Sequence, residues 1–516
     1  MKKLVIVLAM LAASPLTNAG GRGEGANLMD RFLESKTTET KVVKFNKRSD
    51  MLAGGEIAEA CANAEKINPE GSALVFNNLP LLESKFSFDA VLQQIIATSP
   101  VASHLQPDEV ATSKTNLLDS LLQSYTKDSA SNQGVAMELD LRPDDAALAN
   151  DGQLFSDMKP LGLFNRIDLA DRDGKHCGEY RIAFGRIAGS ESDINGNSNS
   201  NNNNRFLMIF EGQYPNPQPE LGLAGCAPVV NYWASLDGLS DEKAVVELHK
   251  FFMTGTVQDG VTLPAVVNYQ NYSADRGQVR VNSIVLVEGP TPNLNQARWQ
   301  LREFKTAIGT EDNSVEFSHV TVKANPLAEL YAYSTSTNTE AFNALSDSFK
   351  QDFVTNMLPQ LLAPELKGKT SPSDIINGIF LDNDDKYNEF QSNSETPIDE
   401  TDAINVATVS ENFLSDQMIN DFINERTQQS GVNHGITREM VINRANAMTC
   451  QGCHMTALAQ YVAPGLTWPL MGPGGFVQIS ERENGALSTA LKDQFLPARK
   501  GVMENFICNP PAVASK

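Results

Sequence analysis

The sequence predicts an α+β fold with N-terminal helices, a central, mainly antiparallel sheet domain, and a helical C-terminal region. Three observations lead there. Apolar residues recur at helical spacing before about residue 150 and again after about residue 326. Between about 155 and 325 the runs become rich in β-branched and aromatic residues. Near the C-terminal end stands Cys450-Gln451-Gly452-Cys453-His454, in a segment that reads as helix. At 516 residues the chain holds one large core or two to three domains. The expected divisions are residues 1–19, 20–150, 151–325 and 326–516.

Residues 1–19 read as a secretory signal. Lys2 and Lys3 precede an apolar run from Leu4 to Ala13, and Thr17-Asn18-Ala19 offers a small-residue cleavage site. That run is too short to span a bilayer, and no later stretch reaches eighteen uninterrupted apolar residues. The expected location is periplasmic or secreted, with no membrane span. Over 20–150, Phe88, Val91, Leu92, Ile95 and Ile96 form one helical face, and Leu117, Leu118, Leu121, Leu122 and Tyr125 another. Pro69, Pro80, Pro100 and Pro107 divide this region into short helices.

In the sheet region the expected strands are 180–187, 206–210, 284–287, 299–304 and 315–322. Ser240-Asp241-Glu242 starts a helix with a capping serine and acids in its first turn, burying Val245, Leu248 and Phe252. The asparagine run within 195–204 has nothing to bury and reads as a loop. Asp168, Asp171, Asp173 and Gly174 echo a calcium loop without meeting the twelve-residue pattern, so a surface turn is expected there. After 326, amphipathic helices are expected over 341–358 and 409–424. Thr437 should cap the helix that runs into the cysteine motif, with Val441, Ala445 and Met448 along one side.

Two cysteines three apart, followed at once by histidine, form the c-type haem attachment pattern. Residues i and i+3 share a helical face, so Cys450 and Cys453 can both reach the vinyl groups of one porphyrin. His454 is then placed to bind the iron from the proximal side. A structural disulfide, a half zinc site and a dithiol redox pair are the rival readings of the same residues. Zinc would need two further ligands, and no second CxxC or HxxxH lies nearby. A thioredoxin-like motif would be expected in a βαβ setting. The sixth iron position separates electron transfer, favoured by methionine sulfur, from small-molecule chemistry at an open site. Met471, in the loop 470–476, is a candidate axial ligand. Met503 and His434 are further candidates, and Trp468 and Phe476 could line the haem edge.

The other four cysteines, in an oxidising compartment, suggest two disulfides. Cys177 with Cys226 is favoured, leaving Cys61 with Cys508. A net charge of −22, or −24 without Lys2 and Lys3, argues against nucleic acid and anionic membrane surfaces. It suits docking to a basic redox partner protein and equally serves solubility. No GxSxG elbow, HExxH or dinucleotide-binding glycine fingerprint occurs.

Four segments together carry a resemblance: Phe164-Asn165-Arg166-Ile167-Asp168-Leu169, Cys177-Gly178-Glu179-Tyr180-Arg181, Trp299-Gln300-Leu301-Arg302-Glu303-Phe304 and Thr449-Cys450-Gln451-Gly452-Cys453-His454. The chain from about 155 to 508 resembles a set of uncharacterised exported bacterial proteins with these landmarks in this order. The resemblance implies a shared fold and supplies no activity. At the haem motif the chain is similar to c-type cytochromes. Two functions are therefore expected in competition: an exported monohaem redox protein with one covalent haem c, or a non-catalytic, disulfide-stabilised binding protein.

Overall fold

The computed structural model describes residues 54–104, 109–141, 153–171, 173–186, 206–286, 297–310, 313–332, 339–392, 409, 411–453, 460–468, 479–480 and 485–513. The leader expected over 1–19 and the asparagine run lie outside the described residues. The architecture is α+β, as the sequence predicts. First come α1 (Gly54–Ala64), β1 (Val75–Phe76), α2 (Leu79–Lys85), α3 (Phe88–Ala97) and α4 (Glu109–Leu122). In α3 the Ser87 side chain accepts from the Ala90 backbone N–H, and Asp89 sits in the first turn. Capping and dipole thus start the helix where its apolar face begins. The buried residues of α3 and α4 are the ones read from periodicity.

A hairpin, β2 (Ser129–Asn132) with β3 (Val135–Glu138), follows inside the stretch expected to be helical. Its two-residue turn, Gln133-Gly134, has positive φ at both positions (51° and 79°), the conformation that matches strand twist.

After α5 (Gln153–Asp157) come β4 (Met158–Arg166), β5 (His176–Arg186) and β6 (Phe206–Pro215). Helices α6 (Ala227–Ala234) and α7 (Asp241–His249) and the small hairpin β7 (Thr256–Gln258)–β8 (Val261–Leu263) intervene. The sheet is completed by β9 (Gln278–Leu286), β10 (Ala297–Ile308) and β11 (Val315–Val320). Its order is β1-β4-β5-β6-β9-β10-β11, and every neighbouring pair is antiparallel. Ser240 occupies the N-cap of α7, but its side chain makes no capping bond. The helix is held instead by Val245 and Leu248 in the core.

Period-2 alternation gives the sheet two unlike faces. Tyr180, Ile182, Phe184, Phe206, Phe210, Val281 and Phe317 join the N-terminal helices in one core, which also takes in Leu496, Val502 and Phe506 from the last helix. Each such side chain, fully buried, contributes about 1.5–3 kcal/mol. The other face carries Glu179, Arg181, Glu211, Arg280 and Glu303. There Arg181 lies directly across from Glu211, and Arg280 from Glu303.

The C-terminal region comprises α8 (Glu340–Asp352), α9 (Leu358–Leu361), α10 (Ala363–Leu366), α11 (Pro372–Gly378), α12 (Asp416–Thr427) and α13 (Arg438–Met448). A hairpin, β12 (Tyr461–Ala463) with β13 (Leu466–Thr467), and α14 (Leu496–Cys508) follow. The helix expected from 409 starts only at Asp416. Ser415 caps it by accepting from the Met418 N–H, while Val409, Phe413 and Leu414 are buried outside the helix. These elements form a second core around Phe349, Phe353, Tyr387 and Ile423.

Arg302 joins the two cores. Its buried guanidinium donates to the carbonyls of Ser124 (2.6 Å) and Asp140 (2.7 Å) and to Gln391 Oε1 (2.8 and 3.0 Å), above the Tyr125 ring. Both expected disulfides form, Cys177–Cys226 and Cys61–Cys508, the second tying α1 to α14. Among the described residues, no helix is long and apolar enough to cross a membrane.

His319, on β11 beside this junction, makes stability pH-dependent. Its ring lies between Phe304 and Phe390, with Nε2 2.8 Å from the Phe390 carbonyl. Burial, then the charge of Arg302, pushes its pKa down to about 4 against the Phe390 bond. The unfolded imidazole titrates near 6.5. The folded state therefore binds the proton more weakly, and stability is full above pH about 6.5 and drains as pH falls toward 4. The drain amounts to about 3 kcal/mol. Urea midpoints at pH 7 and 4.5 should fall for the native chain and fall markedly less for His319→Gln. Equal falls would remove His319 as the cause.

Candidate functional site

The motif is presented by α13. The Thr437 side chain caps it by accepting from the Met440 N–H, as expected. Val441, Ile442 and Ala445 bury one side in the second core. Arg444, fully buried, faces elsewhere: Nη1 and Nη2 each meet a Glu365 carboxylate oxygen at 2.7 Å. Arg444 also donates to the Leu361 carbonyl from Nη1 (2.7 Å) and to the Val462 carbonyl from Nε (2.6 Å). One guanidinium thereby locks α13 to α9, α10 and β12.

The helix does not run into the motif. It ends at Met448, Thr449 is extended, and Cys450–Cys453 form a separate 3-10 turn. Cys450 N donates to Asn325 Oδ1 (3.4 Å), Gly452 N to the Thr449 carbonyl (3.1 Å), and Trp468 Nε1 to the Gly452 carbonyl (2.9 Å). A Cβ on Gly452 would fall 1.7 Å from the Ala447 carbonyl oxygen, so the turn closes on α13 only with glycine there.

Cys450 and Gly452 lie in the wall of a cavity of about 350 Å3 between the turn and the charged face of the sheet. One side is apolar: Ile379, Phe380, Met448, Trp468, Phe495 and Val502. The other is charged: Asp168, Glu179, Arg181, Arg280, Lys323 and Arg499. All four segments that carry the resemblance contribute to it, through Asp168 and Leu169, Glu179 and Arg181, Leu301, and Thr449, Cys450 and Gly452. Gly178, with φ +86°, allows the second to meet the first. A Cβ there would stand 2.3 Å from the Arg166 carbonyl oxygen.

The charges are held as a network. Asp168 receives Nε (3.0 and 3.1 Å) and Nη2 (2.8 Å) of Arg166. Arg181 meets Glu179 at 2.6 Å and Glu211 at 2.8 Å, and Arg280 meets Glu303 at 3.0 Å and Glu211 at 3.5 Å. Burial alone would raise the Asp168 carboxyl, but Arg166 and then Arg499 outweigh it and hold it below its ordinary value. Burial opposes ionisation of Glu179 in the same way, and Arg181 and Lys323 hold it far below. For Arg280, burial is outweighed by Glu211 and Glu303, with a smaller contribution from nearby Cys450, so its pKa is raised.

The expected surface turn at 168–174 needs correcting. Asp171 is buried with Oδ2 accepting from the Lys175 N–H, and Asp168 belongs to the charged network. Charges alternate with apolar residues in Glu179-Tyr180-Arg181 on β5 and in Glu303-Phe304-Lys305 on β10, strands separated in the sheet by β6 and β9.

Of the predicted site residues, Cys450 lines the cavity and the Cys453 backbone closes the turn. His454, Met471 and Phe476 lie outside the described residues. Trp468 lines the cavity. Met503 does not: it is buried in the core shared with the sheet. His434 is also elsewhere, in a second cavity with Glu365 and Gln429, its Nε2 3.2 Å from Asn424 Oδ1. Among the described residues no group of three or more His, Cys, Asp or Glu side chains could hold a metal ion.

Cys450 thus stands in the wall of a cavity lined by apolar side chains and by charged ones. No family model, curated protein or solved structure matches the chain.

Proposed function

We propose that the chain is an exported protein carrying one covalent haem c, and that it serves electron transfer or redox chemistry at the haem. The observation that carries this reading is the convergence on one amphipathic cavity of Cys450 with three segments far away in sequence. Cys450 and Cys453 would form the thioethers, and His454 would bind the iron. Met471 is the candidate for the sixth position. When bound, the haem would supply one-electron chemistry. Gly452 and Trp468 hold the attachment turn, while Phe380, Phe495 and Val502 exclude water from the apolar side. The acidic surface suits a basic redox partner.

The leader at 1–19 and the cysteine motif support each other, because haem is joined to such motifs outside the cytoplasm. The two disulfides fit the same compartment. They are also compatible with the second reading, a disulfide-stabilised binding protein that uses the cavity for another ligand.

Expression in a host with haem maturation machinery separates the two. The purified chain should be red, keep its haem after denaturation, and show the mass of the processed chain plus one haem. Cys450→Ala combined with Cys453→Ala should abolish covalent attachment. A colourless chain at the mass of the bare polypeptide would overturn the haem reading.

A further inference from the structure

A third cavity, of about 290 Å3, lies on the charged sheet face toward the C-terminal end of β10. Among the described residues, only Lys323 lines both this cavity and the one at Cys450. Short side chains, Ala307 on β10 and Ser318 on β11, leave room above the sheet. Charged groups enter from opposite flanks of β10. Arg276 precedes β9 on one side. Asp385 opens the segment on the other side, where Val322 N donates to the Glu389 carbonyl and Leu301 bridges Ser392. Since β9 and β11 are two strand spacings apart, about 10 Å, the two groups face each other across the cavity without pairing.

Both are held in place. Lys305 Nζ donates to the carbonyls of Arg276 (2.6 Å) and Gly277 (2.8 Å). A Cβ on Gly277 would stand 2.0 Å from the Glu211 carbonyl oxygen, so this loop is pinned against the sheet. Asp385 Oδ1 accepts from Asn388 Nδ2 (3.1 Å), and its carbonyl accepts from Asn132 Nδ2 (2.9 Å).

Neither is satisfied. The Arg276 guanidinium and Asp385 Oδ2 have no partner among the described residues, and neither side chain is sealed from solvent. Partial desolvation, then the charge of Glu303, pushes the Asp385 carboxyl above its ordinary value against the pull of Lys305. An ammonium group beside it would relieve that cost, and a carboxylate would engage the Arg276 fork.

We propose that this cavity binds a single zwitterionic α-amino acid, its carboxylate on Arg276 and its ammonium on Asp385. A volume near the lower end for ligand pockets, about 300 Å3, suits one amino acid rather than a peptide. The anchors read groups that all α-amino acids share, so the side chain only modulates affinity.

L-alanine and L-leucine are the probes, titrated calorimetrically into the full processed chain. Both should bind saturably. Propionate lacks the ammonium and propylamine lacks the carboxylate, so each should bind about tenfold more weakly than L-alanine, the loss of one charge-assisted contact. Arg276→Gln and Asp385→Asn should each weaken L-alanine binding by a similar factor. Asparagine retains Oδ1 for Asn388, and unfolding midpoints without ligand identify the variants that remain folded. The comparison of ligands is read on the native chain and needs no variant.

No saturable heat from either amino acid up to about 10 mM overturns the site. Propionate or propylamine binding as tightly as L-alanine does so too, as does binding that both folded variants leave unchanged. Neither anchor lines the cavity at Cys450, so the outcome is independent of the haem reading.

Discussion

Replacing Glu365 with alanine should destabilise the C-terminal helical region by about 3–5 kcal/mol, because it leaves the Arg444 guanidinium buried without a counter-charge. The carboxylate accepts two 2.7 Å bonds from a side chain that is itself fully buried. The remaining acceptors, the Leu361 and Val462 carbonyls, are neutral and already engaged. A lower urea midpoint at unchanged slope would show the loss. Since α13 presents Cys450, covalent haem per chain should fall as well. Replacing both partners with apolar residues, Glu365→Leu with Arg444→Met, should recover most of the stability, because desolvation opposes such a pair as strongly as attraction favours it. A loss below about 1 kcal/mol for Glu365→Ala would mean that the pair does not hold α13.

Gly452→Ala should be nearly as damaging, for a steric reason. The new methyl would meet the Ala447 carbonyl oxygen at 1.7 Å and its carbon at 2.5 Å. Both are backbone atoms in the last turn of α13, so no rotamer change relieves the clash. The 3-10 turn must lift, which breaks the Trp468 Nε1 bond to the Gly452 carbonyl. A cost of about 2–4 kcal/mol follows from overpacking together with the lost bond. The direct readout is covalent haem per chain, expected to drop about tenfold, an amount that 1.4 kcal/mol against the attachment geometry already produces. Gly238→Ala is the control: nothing stands within 4 Å of its Cβ, and stability should change by less than about 0.5 kcal/mol. Equal haem content in the two variants would show that the turn tolerates a side chain.

Local chemistry was the legible part. The buried faces of α3 and α4 followed from apolar spacing, and β5, β6, β9, β10 and β11 from β-branched and aromatic content. Strand β4 was missed. Pro160 and Gly162 disfavour a strand in isolation, and the sheet accommodates them at a register shift between β4 and β5. The early start expected for α12 arose because Val409, Phe413 and Leu414 are buried like helix residues. The Ser415 cap nonetheless starts the helix later.

By itself the sequence determined the fold class and favoured the Cys177–Cys226 disulfide, which left Cys61 for Cys508. Propensity, apolar period and cysteine arithmetic act over a few residues or on a handful of candidates. Only the tertiary structure decided where the candidates meet. It brings Cys450 to Glu179, Arg181 and Arg280 across one cavity, sends His434 to another, and buries Met503 in the sheet core. These placements depend on which sheet face the C-terminal region covers and on how Arg444 and Gly452 set α13 against it. Those are packing relations between residues hundreds of positions apart, and no local pattern encodes them.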